Sequence, residues 1–228
     1  MTSPSELPSK EAPLDKLLPG ETPQDSDSID NPLSALPGID SATISRLHDK
    51  LIAKASDAGL LDLAYRTVDS PVGSLLLVTS NRGLTRVAFA SEGHERVLAA
   101  LAATISPRIL RAPGRLDEPA RELDEYFAGI RRGFDLQLDL TTTGEFRRAV
   151  QMLLPGIAYG TTVSYAELAS RAGRPTAVRA VGSACATNPL PIVVPCHRVL
   201  RSDGSLSGYL GGLPVKRALL DLEARISA

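Results

Sequence analysis

The hydrophobic pattern of this chain changes near Thr141, and the change separates two kinds of predicted structure. Between residues 61 and 140 apolar and polar residues often alternate, most clearly over Phe134–Leu140, and alternation with a period of two is typical of half-buried strands. After Thr141 the pattern favours helices. We therefore predict an α+β chain, with a small antiparallel sheet in an N-terminal domain, 61–140, and a mostly helical C-terminal domain, 141–228.

The N-terminal domain is predicted to open with a three-stranded meander, because apolar runs alternate with turn-forming residues. The strands are expected at 62–68, 75–79 and 84–90, the helices at 92–105 and 117–130, and a last strand at 134–140. The segment contains no cluster of residues suited to catalysis. We interpret His94, and also His48 before the sheet, as solvated side chains.

The first 38 residues hold seven of the 17 prolines and are predicted to be a disordered extension. An accessory segment, 39–60, follows it. There Asp40 is a candidate N-cap of a helix over 41–58, whose apolar positions have helical spacing: Ile44, Leu47, Leu51 and Ile52. We expect this helix to pack on the domain, and a partner-binding helix is the alternative.

Charge is distributed unevenly along the chain. Residues 1–40 carry eight acidic and two basic side chains, so the remainder carries +5 against an overall net charge of −1. Residues 141–228 hold ten bases and five acids. This excess permits a polyanionic partner without requiring one.

Two cysteines do not suffice for a disulfide framework or a cysteine-rich zinc cluster. The N-terminus lacks a basic region followed by an apolar stretch, and no apolar run has the length of a membrane span. We therefore expect a cytoplasmic protein with reduced thiols, no metal and no membrane partner.

Two short helices in the C-terminal domain form a helix-turn-helix candidate. Ser164 and Glu167 have the spacing of a capping box, the first helix is expected over 165–171, and the second over 176–186. The second helix consists mainly of small residues with one arginine, Arg179. Such a helix can pack closely on another helix, or it can make a shallow contact with DNA that does not read sequence.

The run Ile192–Val194, predicted as a buried strand or extended segment, leads to Pro195, Cys196 and His197. A thiol becomes a strong nucleophile when a neighbouring base removes its proton, directly or through one water, and a carboxylate can orient that base. The nearby carboxylates are Asp203, Asp221 and Glu223. The residues alone leave open that Cys196 is an inert buried thiol and that His197 makes only a structural hydrogen bond.

The stretch 188–199, N-P-L-P-I-V-V-P-C-H-R-V, resembles the active-site segment of the O6-alkylguanine-DNA alkyltransferases. Further matching motifs follow the family's order and spacing: Ser164-Tyr165, 179–182, 202–206, 208–212 and 216–223. The resemblance is strong over 145–224 and weaker over 61–140. It implies a ribonuclease H-like N-terminal domain and a winged-helix-like C-terminal domain that carries the helix-turn-helix.

The resemblance implies a reaction in which each molecule acts once. An alkyl group would pass from O6 of guanine in double-stranded DNA, or from O4 of alkylated thymine, to Cys196, without a cofactor. By position, His197 would be the water-linked base, Glu223 the carboxylate that orients it, and Asn188 the brace of the active-site turn. We expect a monomer in the bacterial cytoplasm or nucleoid.

The family's mode of DNA binding is carried over in the same way. The damaged base would be flipped out of the duplex while the small-residue helix enters the minor groove. Arg179 would fill the vacated stack and Tyr165 would help to rotate the phosphate. The remaining candidates are DNA contacts at Ala180, Gly182 and Ser183, and substrate-pocket residues at Tyr209, Val199, Gly208 and Leu210.

The chain departs from the family pattern at three positions. Gln151 stands where tryptophan is usual, Ala158 where proline is usual, and Arg201 where a small residue is common. We expect the first two to affect packing and Arg201 to add a phosphate contact, while Cys185 is expected to serve packing. Two alternative functions are a non-catalytic sensor of alkylated bases and a thiol hydrolase that turns over repeatedly.

Overall fold

The computed structural model describes residues 40–227, so the predicted extension over 1–38 lies outside the described residues. Contacts divide the chain into two units, Met1–Ile44 and Ser45–Ala228. Helix α1 spans Ser41–Asp57. In the first turn of α1 the Thr43 N–H donates to Asp40 Oδ1 at 2.6 Å, which is the N-cap bond expected from the sequence.

Within the second unit, α1 packs on the core as predicted, but through only part of the predicted face. Ile52 and Ala55 pack against the core, whereas Leu47 and Leu51 remain 54% and 53% exposed. His48, predicted as solvated, is partly exposed, and its Nε2 donates to the Arg111 carbonyl at 2.6 Å. His94 likewise differs from a solvated side chain, since its Nε2 is buried.

The sheet has four strands in the order β3-β2-β1-β4. The predicted meander is present as β1 (Leu63–Val68), β2 (Leu75–Ser80) and β3 (Gly83–Phe89), paired antiparallel. The fourth strand, β4 (Ile109–Arg111), pairs parallel with β1 and was not predicted. Its three residues are too few to show a period of two.

The strand predicted at 134–140 is not formed. The segment touches the edge strand β3 at a single bridge, where the Leu84 N–H donates to the Gln137 carbonyl and the Asp139 N–H donates to the Leu84 carbonyl. This approach requires glycine at position 83, because a Cβ there would lie 2.3 Å from the Gln137 oxygen. The alternation of residues 134–140 therefore reflects a segment that is half-buried against the edge of the sheet, not a strand that is paired along its length.

Two helices cover opposite faces of the sheet. Helix α2 (His94–Thr104) packs Val97, Leu98 and Leu101 on a small cluster of strand side chains. Helix α3 (Asp117–Phe127) belongs to the main core, where Leu123 and Tyr126 are buried. Because the main core continues into the C-terminal part of the chain, α3 is placed next to the residues that follow.

The described part of the C-terminal domain contains four α-helices and a parallel pair of two-residue strands. The helices are α4 (Glu145–Leu153), α5 (Tyr165–Arg171), α6 (Val178–Ala186) and α7 (Leu213–Ser227), and the strands are β5 (Val163–Ser164) and β6 (Val199–Leu200). Ser164 caps α5 by accepting a bond from the Glu167 N–H at 3.1 Å. Helices α5 and α6 form the predicted helix-turn-helix, and Gly173 between them has a φ of +70°.

Gln151 has a more specific role than the packing expected from the sequence. Its side chain is fully buried, and Nε2 donates to the Ala184 carbonyl at 3.0 Å. That carbonyl lies in the last turn of α6, where backbone acceptors lack partners within the helix. Gln151 therefore joins α4 to the end of α6.

No helix in the described part of the chain is long and apolar enough to cross a membrane.

Candidate active site and adjoining cleft

Cys196 lies on a tight turn rather than at the end of a strand. The run Ile192–Val194, predicted as strand or extended, forms a turn in which Ile192 has a φ of +74°. A β-branched residue rarely adopts this conformation, because its side chain crowds the backbone. The chain then makes one turn of 3₁₀-helix over Cys196–Arg198, with Cys196 3% and His197 0% exposed.

Asn188 holds this turn from inside. Its Nδ2 donates to the Val194 carbonyl at 2.8 Å and to Cys196 Sγ at 3.2 Å, while its Oδ1 accepts the Leu190 N–H at 3.0 Å. Three hydrogen bonds from one buried amide fix the strained segment and direct a donor at the sulfur. A hydrogen bond to sulfur favours the thiolate over the thiol.

Glu223 joins the active-site turn to both domains. Its Oε1 accepts from His197 Nε2 at 2.8 Å and from Tyr126 Oη at 2.7 Å, and Oε2 accepts the Gly160 N–H at 3.1 Å. Arg198 forms a buried ion pair with the same carboxylate at 2.9 Å. Burial raises the pKa of Glu223, but the bonds from His197 and Arg198 outweigh it and bring the pKa to about 2.

These contacts determine which His197 nitrogen can accept a proton. Burial lowers the pKa of His197 more than the hydrogen bond that it donates to Glu223 raises it, so the imidazole is neutral near pH 7. Because the ionised Glu223 can only accept, Nε2 carries the proton and Nδ1 carries the lone pair. Nδ1 is buried and has no hydrogen-bond partner among the described residues. His197 is thus arranged as a base through Nδ1.

The thiol of Cys196 needs such a base. Burial raises its pKa to about 11, although the Asn188 hydrogen bond and the positive charge of Lys216 act in the opposite direction. His197 makes no direct hydrogen bond to Sγ in the described structure, which agrees with transfer through one water. A thiolate–imidazolium pair would be stabilised by Glu223 on the far side of the ring.

A largely apolar cleft of about 450 Å³ opens between α6 and the loop before α7. One wall is a face of α6 with Arg179 and Gly182, and Tyr165 of α5 lies beside it. The opposite wall is the loop with Gly208, Tyr209 and Leu210. The structure therefore brings together most of the predicted DNA-contact and pocket residues in one place.

The remaining DNA-contact and pocket candidates have different positions. Ala180 and Ser183 are exposed on α6 outside the cleft lining. Val199 does not line the cleft either: its side chain is fully buried because β6 pairs with β5 inside the core. Arg201 does line the cleft, which is compatible with the expected phosphate contact.

Tyr209 connects the cleft to the buried site. Its ring packs edge-on against Phe89 at 5.6 Å between centroids and lies 6.4 Å from the His197 ring. Burial raises the pKa of its hydroxyl well above the ordinary value, so the group stays protonated and can donate a hydrogen bond to a ligand.

Two of the three candidate carboxylates lie too far from His197 to orient it. Asp203 is exposed and accepts the Ser205 N–H at 2.9 Å, and Asp221 is exposed on α7. Cys185 is buried on the inner face of α6, and burial raises the pKa of its thiol to about 12.

Within residues 40–227 no three His, Cys, Asp or Glu side chains are grouped to hold a metal ion.

Three residues with roles around the site were missed. Tyr126 and Arg198 both bind Glu223, and Lys216 is a buried lysine that donates to the Val199 carbonyl at 2.7 Å. Arg198 and Lys216 lie inside the motifs that carry the family resemblance, but nothing in their residue type assigned them a role. Tyr126 is 97 residues from Glu223, and only the apolar face of its helix was visible in the sequence.

Two family models match the chain. The 6-O-methylguanine DNA methyltransferase ribonuclease-like domain matches residues 63–140, and the DNA binding domain of the same family matches residues 145–225. These matches adjoin at the place where the hydrophobic pattern changes.

Individual proteins show the same similarity over both domains. A methylated-DNA–protein-cysteine methyltransferase of Mycolicibacterium paratuberculosis is 43% identical over 165 residues, which are 72% of this chain and 94% of the relative. One from Methanosarcina barkeri is 40% identical over 159 residues, 70% of this chain and 96% of the relative. A crystal structure of Mycobacterium tuberculosis OGT in complex with DNA is similar with a TM-score of 0.61 and 39% identity, covering 72% of this chain and 94% of that one.

Proposed function

Because the chain belongs to the 6-O-methylguanine DNA methyltransferase family, we propose that it repairs alkylated DNA by moving the alkyl group directly onto Cys196. The observation that carries this proposal is the buried arrangement of Cys196, His197 and Glu223 beside an apolar cleft. A sensor that lacks chemistry is not favoured, since the acceptor sulfur, its base and the orienting carboxylate are all present.

The proposed reaction is a single displacement at carbon. His197 Nδ1 takes the Cys196 proton through a water, and the thiolate attacks the alkyl carbon attached to guanine O6. The carbon–oxygen bond breaks as the carbon–sulfur bond forms, and its electron pair remains on guanine. One proton then returns to guanine, so the products are unmodified guanine and a neutral thioether. Because the thioether is stable, each molecule reacts once.

The cleft supports a role in holding a flipped base. A target atom inside a duplex is out of reach, so the nucleotide must leave the stack. The small residues of α6 permit close approach to DNA, and Arg179, which lines the cleft, would occupy the vacated stack. Tyr209 can donate a hydrogen bond to the departing guanine from the opposite wall. A DNA substrate also supports the expected location in the bacterial cytoplasm.

Mass spectrometry after incubation with a methylated-guanine duplex tests the proposal. One methyl group per protein molecule should appear on Cys196, and Cys196→Ser should acquire none. Trypsin cuts after Arg179 and Arg198, so both cysteines fall in one peptide and fragmentation must locate the methyl group. The control Cys185→Ala should still accept one equivalent. Repeated turnover, or a label on Cys185, would contradict the proposal.

Arg179→Ala tests the flipping role separately. We expect repair in duplex DNA to slow by more than the reaction with free O6-alkylguanine, because the free base needs no extrusion. Arg121→Ala, which removes an exposed arginine from α3, is the matched control and should leave both rates unchanged. Equal losses in the two assays for Arg179→Ala would exclude a flipping role.

A further inference from the structure

Phe89 is a buried residue of the N-terminal sheet domain that lies behind one wall of the cleft. It is the last residue of β3, is only 2% exposed and does not itself line the cleft. Its ring packs edge-on against Tyr209, which does line the cleft, with 5.6 Å between the ring centroids. This wall is therefore supported from behind by a side chain of the other domain.

Gly211 shows how closely the support fits. A Cβ at position 211 would lie 3.0 Å from Phe89 Cε1 and Cζ and 3.0 Å from Val215 Cγ1. Phe89 has little room to move, because its backbone pairs with Leu75 of β2 and its N–H donates to Glu92 Oε1 at 3.0 Å. The loop that carries Gly211 thus lies against a fixed ring and cannot retreat from the cleft.

The same strand also holds the segment that carries the sulfur. Two residues before Phe89, the Val87 N–H donates to the Pro189 carbonyl at 2.9 Å. Pro189 follows Asn188, whose side chain donates to Cys196 Sγ at 3.2 Å. Strand β3 therefore contacts both sides of the site, so it sets the distance between the sulfur and the cleft wall.

We propose that Phe89 limits the size of the alkyl group that Cys196 can accept, by holding Tyr209 in place. The inference rests on the proposed function: the alkyl group of a base in the cleft passes Tyr209, whose ring lies 6.4 Å from that of His197, on its way to the sulfur. Phe89 is a positioning residue, because it acts through Tyr209. A wall with close-packed side chains behind it yields little to a larger alkyl group.

Two duplexes that differ only in the alkyl group measure the predicted effect. One carries O6-methylguanine and the other O6-benzylguanine, and single-turnover rates give a benzyl-to-methyl ratio for each variant. Phe89→Leu leaves space behind Tyr209, so the ratio should rise about tenfold, the low end of the discrimination that one methylene produces in an apolar pocket. Phe89→Ala should raise it further. A ratio equal to that of the wild type in these folded variants would overturn the inference.

Leu76→Ala is the matched control for a loss of stability. Leu76 is fully buried on β2, but it belongs to the cluster under α2, on the opposite face of the sheet. A general destabilisation changes both rates by the same factor, so the ratio should keep its wild-type value. A rise as large as that of Phe89→Leu would show that weakening the sheet anywhere loosens the wall, and a specific role of Phe89 would be excluded.

Phe89→Met covers the case in which the smaller side chains do not fold. Methionine fills irregular space but is flexible, so the core stays packed while the wall loses its rigid support, and the ratio should still rise. An unchanged ratio in this variant also overturns the inference. If the wild type transfers neither alkyl group to Cys196, the proposed function fails. If it transfers both and the ratio does not respond to position 89, only this inference fails.

Discussion

Tyr126 donates a hydrogen bond to Glu223 across the boundary between the two domains: its Oη lies 2.7 Å from Oε1, and both side chains are fully buried. The carboxylate that orients His197 is therefore held by a residue from the N-terminal sheet domain. This contact makes the geometry of the alkyl-acceptor site depend on how the domains pack.

Tyr126→Phe should separate this role from simple packing. The ring is retained, but a bond to a charged acceptor is lost, so we expect a destabilisation of about 1 to 3 kcal/mol. Alkyl transfer should also slow, because Glu223 is less firmly placed. Urea denaturation and single-turnover kinetics measure the two effects. Tyr65→Phe, which removes a hydroxyl from β1, is the control, and an equal effect of both substitutions would argue against a specific role.

Ile192 provides a test of backbone strain. In most contexts alanine is more stable than glycine, by roughly 0.5 to 1 kcal/mol within regular structure. At Ile192 the φ of +74° reverses the preference, because glycine adopts this conformation at no steric cost. We therefore expect Ile192→Gly to have a higher melting temperature than Ile192→Ala, although both lose the buried side chain. If Ile192→Ala instead had the higher melting temperature, the backbone of the turn would have relaxed away from the left-handed conformation.

Gln151 offers a comparison of two substitutions of similar size. Gln151→Met leaves the Ala184 carbonyl without its hydrogen bond but also removes a buried amide oxygen that has no partner, so we expect a moderate loss of stability, about 1 to 3 kcal/mol. Gln151→Glu places a buried acid beside a helix C-terminus, where negative charge is unfavourable. Thermal denaturation at neutral pH should show a much larger loss for the glutamate variant, and the difference should shrink in acid.

Acid should weaken the fold partly through Glu223. Its pKa is lowered from 4.5 to about 2 in the folded protein, so the stability that it contributes is complete above pH 4.5 and is lost as the pH falls towards 2. Glu223→Gln should be less stable at neutral pH but should lose less stability over this interval. Asp139, whose pKa also falls to about 2, titrates in both proteins. Urea midpoints of the wild type and of Glu223→Gln, measured at several pH values, test this. If the two midpoints fell in parallel as the pH is lowered, the prediction would be wrong.

The sequence predicted the elements whose signals are local. Alternation located β1 and β3, an apolar run located β2, and the Ser164 side chain caps α5 as its spacing with Glu167 indicated. Pairing is not local, so the three residues of β4 were missed and the segment at 134–140 was wrongly assigned as a strand. This segment is half-buried against the edge strand β3, and a half-buried segment shows the same alternation in sequence as a paired strand.

The site was predictable only in part for the same reason. Chemistry singled out Cys196 and His197, but three carboxylates remained possible, and only the resemblance selected Glu223. Folding brings Glu223 to His197 from 26 residues away and Tyr126 to Glu223 from 97 residues away. The left-handed conformation of Ile192 has no signal at all, because isoleucine is among the residues least suited to it.

The enclosure of Cys196, which is only 3% exposed, has a consequence between episodes of damage. Peroxides and small disulfides in bulk solution have little access to a sulfur in this position, so unreacted molecules should age slowly.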